Sequence, residues 1–375
     1  IRKEAGKYEN FEVHYAVKAN VERRLLEYIS SKGFGADCVS GNEVLHAHAC
    51  GFPADKIVYA GVGKSDREIY DALMLGIEAF NCESLQEIFV INEMAHLHGV
   101  KANISVRINP DIDAHTHKYV TTGLYENKFG ISQHEFEKLI EIIGKSEYIN
   151  FIGLHFHIGS QILDMMDFVA LCNRINQLAG NLHRARLPLG DINVGGGLGI
   201  NYEHPNHLDI ADFKAYFATF KRTLDLPKGT AVHFELGRSI VAPCGSLISR
   251  VLYVKEGTTK KFAIIDASAR IEYPEPSVVV IDCSDIHNTH PDAELVRPAM
   301  YKAYHRVENL SSAEAEELYD VVGPVCESSD VFLKSTLIDK CHRGDFVAIR
   351  SAGAYGESMA SRYNCRPLPE SFFEV

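Results

Sequence analysis

Eight short runs of β-branched and aromatic residues alternate with amphipathic segments between residue 11 and about residue 237, and this rhythm restricts the fold more than any other feature of the chain. The runs are VHYAVKA (13–19), GADCV (35–39), KIVYA (56–60), EAFNC (78–82), NISVRIN (103–109), FIGLHFHI (151–158), DINVG (191–195) and AVHFEL (231–236). The segments between them read as helices. In ESLQEIFVINEMAHLHG, Leu85, Ile88, Phe89 and Val90 predict one apolar stripe. Ser65 with Glu68, Ser84 with Glu87 and Ser132 with Glu135 each have the spacing of a capping box. Eight strand–helix units in succession predict a closed parallel (β/α)8 barrel over residues 1–238 rather than an open doubly wound sheet.

Beyond about residue 240 the rhythm changes. LISRVLYV, KFAIID, SVVVID, LYDVVG, DVFLKS and DFVAIR follow one another without long helices, which predicts a mostly antiparallel β-domain over 239–375. A chain of 375 residues has room for both cores. The formal charge, 38 − 50 = −12, comes without any dense run of Lys or Arg, which argues against nucleic acid as a partner. No apolar stretch of about 18 residues suggests a membrane span. The first residues lack the apolar core of a signal peptide, so the cytoplasm is the expected compartment. The nine cysteines occur singly, with no CxxC pair, and read mostly as free thiols.

In a barrel of this type the chemistry collects at the carboxyl ends of the strands. Here those ends supply Lys18, Asp37, Asn81, Arg107, His157, the run Gly195, Gly196, Gly197, and Glu235 with Arg238. Lys18 follows the apolar run HYAV, where partial desolvation suits its amine to Schiff-base chemistry; a snorkelling strand-end lysine is the plain alternative. NVGGGLG closes the seventh strand with consecutive glycines that would let amides approach a phosphate, or would form a tight turn and nothing more. Glu235 could accept the proton of a pyridinium nitrogen, or make a structural salt bridge. His155 and His157 share a strand face, but sequence places no third metal ligand beside them, and no metal is expected. His115 and His117 read as a solvated loop.

Read together and in order, HYAVKAN, ADCVSGNE, GLHFHIGSQ, NVGGGLG, ELGR, GPVCESSD and GAYGESMASRYN make the chain resemble the fold-type III pyridoxal 5'-phosphate (PLP) decarboxylases over nearly its whole length. Within that family it is most similar to the branch that converts meso-2,6-diaminopimelate to L-lysine and carbon dioxide. The resemblance implies an alanine racemase-like architecture with PLP as cofactor. Lys18 would hold PLP as a Schiff base, His157 would stack on its ring and Glu235 would pair with its nitrogen. Ser160 with Gly195, Gly196 and Gly197 would hold its phosphate, and Asp37, Gly237, Arg238 and Tyr355 would complete the cofactor site. Arg238, Arg297, Tyr301, Glu327 and Tyr355 would bind the amino acid substrate, and Cys326 would return a proton after carbon dioxide leaves. Cys326 and Glu327 would enter the site of a neighbouring subunit, which implies a homodimer with shared active sites.

The chain departs from the family pattern in places. EPGR appears as ELGR, and residues 270–293 match no counterpart, which predicts an insertion beside Arg297. Measured against the family, the chain is expected to start and stop inside the usual span. Three further readings stay open. An ornithine or lysine decarboxylase of the same fold would use acids such as Glu327 and Asp330; a racemase would use Lys18 and an opposing tyrosine; an inactive enzyme-like protein would only bind.

Overall fold

The computed structural model describes residues 1–110, 128–205, 211–267, 305–326, 330–359, 363–366, 368 and 371–373. The chain forms two compact units, Ile1–Gly199 with Asp212–Gly237, and Ile200–Ala211 with Arg238–Val375.

In the first unit all eight anticipated runs become strands: β1 (Phe11–Ala16), β2 (Gly35–Cys38), β3 (Ile57–Tyr59), β4 (Ala79–Cys82), β5 (Ala102–Arg107), β6 (Ile149–His155), β7 (Asp191–Asn193) and β8 (Ala231–Leu236). They pair in sequence order as a closed barrel. Closure is made by β1 on β8, parallel, from Phe11 opposite Val232 to Tyr15 opposite Leu236. Side chains alternate across each strand, so on β8 Phe234 and Glu235 must face opposite ways. Phe234 packs against Tyr216, Phe217 and Phe220 of helix Phe213–Thr223, with ring centroids 5.6, 5.0 and 5.1 Å away. That aromatic wedge fixes the outer face of β8 and leaves Glu235 on the inner one.

Two expectations about the helices need correction. In helix Leu85–His98 the buried stripe is Ile88, Ile91 and Ala95, whereas Phe89 is 57% exposed. Phe89 lies one residue on from Ile88 and so about 100° around the helix, off the buried face. Of the three anticipated capping boxes, Ser65 and Glu68 form the full reciprocal pair. At Ser84 the hydroxyl accepts the Glu87 amide, but the Glu87 carboxylate accepts the Glu83 amide and pairs with Lys64 instead. Ser132 precedes a 3-10 turn, Gln133–Glu135, ahead of helix Phe136–Lys145, and the carboxylate half of its box forms, with Glu135 Oε2 accepting the Ser132 amide at 3.3 Å. The Ser132 hydroxyl there accepts from the His134 amide.

The second unit contains β9 (Ser246–Glu256), β10 (Lys261–Ile265), β11 (Val307–Asn309), β12 (Glu316–Val322), β13 (Val331–Asp339) and β14 (Phe346–Arg350). Their order is β11-β14-β9-β10-β12-β13. The sheet is mostly antiparallel, with β10 and β12 as its parallel pair. One side buries Leu247, Val251, Ile265, Tyr319, Val347 and Ile349. β11 carries no strand signal, since Val-Glu-Asn is short and two-thirds polar. The run SVVVID, the anticipated insertion, Arg297, Tyr301, Glu327, and His115 with His117 lie outside the described residues. Among the described residues every cysteine is a free thiol and no helix is long and apolar enough to cross a membrane.

Ser65→Ala is expected to cost about 1 kcal/mol, because it removes the hydroxyl that accepts the Glu68 amide and donates to the Glu68 carboxylate. Ser132→Ala, which loses only a contact within a short 3-10 turn, is expected to cost less than half as much. Urea midpoints of the two variants check this, and equal losses would contradict the assignment.

Candidate active site

The upper end of the barrel gathers the strand-end residues anticipated from sequence. Lys18 sits two residues past β1 on the 3-10 turn Val17–Ala19. Gly237 closes β8 directly against that turn: a Cβ there would lie 2.9 Å from the Ala19 Cβ and 3.1 Å from the Ala16 Cβ. Any larger residue would push the lysine turn away from β8.

Glu235 is buried at the centre. Its Oε1 accepts from Asn193 Nδ2 at 2.7 Å and Asn81 Nδ2 at 3.1 Å, and its Oε2 lies 3.1 Å from His155 Nε2. Burial alone would favour the protonated acid. The hydrogen bond and charge of the neighbouring His155, with the charge of Lys18, outweigh it and hold the carboxyl well below the usual carboxylate range. Asp37, on β2, goes the opposite way. Burial, followed by the negative charge of Glu235, pushes it well above the ordinary value, and the positive charge of Lys18 only partly offsets this. One carboxylate is therefore ionised and the other protonated.

His157 lies two residues beyond β6. Its Nδ1 accepts the Gly196 amide at 3.3 Å, so the ring proton belongs on Nε2. Burial, then the cations Lys18 and Arg107, keep the imidazole neutral. Arg107 closes β5 and donates from Nη1 to Glu83 Oε1 at 2.9 Å, with its guanidinium 4.7 Å from the centre of the Phe129 ring. Glu83 in turn accepts the amides of Gly61 and Gly130.

The glycine run has a different cause from the one its sequence suggests. A Cβ on Gly195, Gly196 or Gly197 would stand 2.3 Å from the Phe156 oxygen, 1.9 Å from the Glu235 oxygen and 2.6 Å from the Gly159 oxygen. Gly195 and Gly197 also adopt φ of +70° and +103°. The Gly195 and Gly196 amides are used by Asn193 Oδ1 and His157 Nδ1. These glycines are thus required first for close backbone packing. The run is stitched to the loop that carries Ser160: the Ile162 amide donates to Gly197 O at 2.8 Å, and the Gly199 amide returns to Ile162 O at 2.9 Å. Two loops of the barrel mouth are held side by side.

In the second unit, Arg238 donates from Nη1 to the Tyr202 hydroxyl and lies 4.7 Å from the centre of the Tyr355 ring. Tyr355 has φ +66°, an uncommon backbone for a bulky residue. His305 stands edge-on to Tyr202 at 4.8 Å. Its Nδ1 is paired with the Arg350 carbonyl at 2.8 Å, and burial pushes its pKa down to about 4. Cys326 is exposed. The Asp330 carboxylate accepts the Val325 amide at 2.7 Å and is buried beneath the loop that carries Cys326. Sequence reasoning places Asn81 at a strand end without a role and passes over Asn193 and Tyr202. An asparagine directly ahead of a glycine run is the one local signal for Asn193.

The polar atoms at the barrel mouth suit an anionic, polar ligand that carries an aldehyde. Asp37 Oδ1 and Arg107 Nη2 are buried with no protein partner among the described residues, beside a lysine and a neutral imidazole.

Residues 1–242 match the family profile "Pyridoxal-dependent decarboxylase, pyridoxal binding domain", and residues 293–353 match "Pyridoxal-dependent decarboxylase, C-terminal sheet domain". The chain is 54% identical to a diaminopimelate decarboxylase of Bacteroides thetaiotaomicron over 99% of this chain and 90% of that one. It is 37% identical to a diaminopimelate decarboxylase of Aquifex aeolicus over 94% of this chain and 78% of the other. The crystal structure of diaminopimelate decarboxylase from Helicobacter pylori complexed with L-lysine superposes with a TM-score of 0.83 at 37% identity, covering 96% of this chain and 84% of that one. A closed barrel with lysine and glutamate at its mouth, a mixed sheet behind it in sequence and these matches together show that the chain belongs to the pyridoxal-dependent decarboxylases, in the diaminopimelate decarboxylase family.

Proposed function

We propose that this protein uses PLP, held by Lys18, to decarboxylate meso-2,6-diaminopimelate to L-lysine and carbon dioxide. The observation that carries the chemistry is the ionised Glu235 fixed inside the barrel by Asn81, Asn193 and His155. The 54% identity to a diaminopimelate decarboxylase, and the L-lysine named with the Helicobacter pylori enzyme, support the substrate.

When bound, the cofactor supplies an electron sink, its protonated ring taking up the electron pair that the departing carboxylate leaves at Cα. Glu235 holds the proton on the ring nitrogen. His157, neutral and with its Nδ1 tied to Gly196, offers a flat uncharged face for the ring to stack on. Asp37 keeps its proton and so does not trap the Lys18 ammonium in a permanent ion pair. The joined loops of Ser160 and Gly195–Gly197 would hold the phosphate, and Gly237 lets the Lys18 turn sit close to β8.

For the substrate, Arg238 presents its guanidinium from between Tyr202 and Tyr355, and with Arg297 suits an amino acid that carries a distal carboxylate. Tyr301 and Glu327 complete the substrate contacts, and Cys326 delivers the proton to Cα. Cys326 and Glu327 serve the neighbouring subunit of a homodimer. Asp330 is engaged beneath the Cys326 loop, which leaves Glu327 as the acid on which an ornithine-type site would rely. Free thiols and a biosynthetic reaction fit a cytoplasmic enzyme.

Purified protein incubated with PLP is expected to show the visible absorbance of lysine-bound cofactor, lost in Lys18→Ala, and to release carbon dioxide and L-lysine from meso-diaminopimelate. Turnover of ornithine or lysine alone would replace the proposed substrate. Racemisation without carbon dioxide release would replace the reaction, and folded protein without the absorbance would remove the enzyme reading altogether.

A second expectation concerns Asp37. A carboxyl whose folded pKa is raised stabilises the fold below its unfolded value, here 3.8, and loses that contribution as pH rises toward the folded pKa. The unfolding free energy of cofactor-free Asp37→Asn minus that of the wild type should therefore grow between about pH 4 and pH 7. A difference that stays constant over that range would show that Asp37 is ionised.

A further inference from the structure

A second polar cluster occupies the barrel nearer the amino ends of the strands, where a fold of this type has no catalytic role to offer. His14 lies on β1 and His233 on β8, Glu78 stands one residue before β4, and Asp191 opens β7. His14 Nε2 is 2.8 Å from Glu78 Oε2, and His233 Nδ1 is 3.6 Å from Glu78 Oε1. The other nitrogen of His233, Nε2, is 3.7 Å from Asp191 Oδ1. One donor atom from each of His14, Glu78 and His233 lies within 4.8 Å of the others.

We infer that His14, Glu78 and His233 form a binding site for a divalent cation of the zinc class, with Asp191 orienting His233 from behind. Two imidazoles and a carboxylate are a ligand set that zinc accepts while keeping a fourth position open. Metal–ligand bonds of about 2.0–2.2 Å place neighbouring donors roughly 3–3.5 Å apart, so the observed separations need only small side-chain adjustments. Asp191 Oδ1, 3.7 Å from His233 Nε2, needs only a slight closure to make the hydrogen bond that fixes the tautomer of a ligating histidine and makes its other nitrogen a better donor. A surface cleft lined by Phe11, Glu12, Lys32, Gly35 and Lys56 reaches His14 and gives a cation a way in.

The geometry favours one shared ion. His14 is 1% and His233 5% exposed, and their rings are stacked 5.1 Å apart at 24°, so a single cation beside Glu78 can reach one nitrogen of each ring with little movement. A divalent ion there would also offset the carboxylate charge of Glu78 and Asp191. The site involves none of the residues assigned to PLP or substrate, so the inference stands apart from the catalytic reading.

The test uses untagged, PLP-loaded protein stripped with a chelator and dialysed against Co2+, with bound cobalt measured per chain and the ligand-field spectrum recorded. The expected result is one Co2+ per chain, displaced by Zn2+, with bands of a nitrogen-ligated, low-coordinate ion distinct from the cofactor absorbance. His233→Gln and Glu78→Gln should each weaken uptake more than tenfold, and Asp191→Asn by about 10–100-fold. Zn2+ should raise the thermal midpoint of the wild type and not that of His233→Gln. Wild-type protein that takes up no stoichiometric cobalt overturns the inference without recourse to any variant. Uptake that persists unchanged in both folded ligand variants also overturns it.

Discussion

The buried carboxylate of Glu235 is the constraint on which the barrel mouth depends. An ionised acid enclosed by the barrel costs several kcal/mol unless its oxygens are fully used. Asn193 from β7, Asn81 from β4 and His155 from β6 supply donors, and each must arrive at the same depth as β8. That requirement ties strand register to chemistry. His155 pairs with Asn193, and Asn193 with His233, so a one-residue slip in either pairing would turn the donors out of the barrel. The aromatic wedge around Phe234 holds β8 from outside, and Gly196 lets the next loop pass against the Glu235 carbonyl.

The charge of Glu235 also sets the state of its neighbours. It helps keep Asp37 protonated, and with Asp37 neutral the Lys18 ammonium faces one strong anion rather than two. Environment alone thus separates two carboxyls into a base-like and an acid-like form. His157 stays neutral because it is buried, and because Lys18 and Arg107 beside it further oppose a positive ring.

Much of this is legible in the sequence. All eight barrel strands follow from their β-branched runs, because strands covered on both faces read as short continuous apolar segments. Lys18, His157 and Glu235 stand out because they end such runs. What escapes is whatever depends on distant partners. Asn193 looks like a turn residue until β8 brings Glu235 beside it, and Tyr202 looks like a loop residue until Arg238 reaches it. Phe89 is misplaced when hydrophobicity is read without the angle each residue takes around the helix. The glycine run is visible but its cause is not, since carbonyls 1.9–2.6 Å from a hypothetical Cβ belong to other strands and loops. His14, Glu78 and His233 come from distant parts of the chain and share no spacing that a motif could capture.

The central claim is that an ionised Glu235 keeps the cofactor ring nitrogen protonated. Reconstituting the protein with PLP labelled with 15N in the ring and recording the nitrogen chemical shift near neutral pH tests it directly. The account predicts the shift of a protonated pyridinium in the wild type and of an unprotonated ring in Glu235→Gln. An unprotonated ring in the wild type, or a pyridinium that survives in Glu235→Gln, would contradict it.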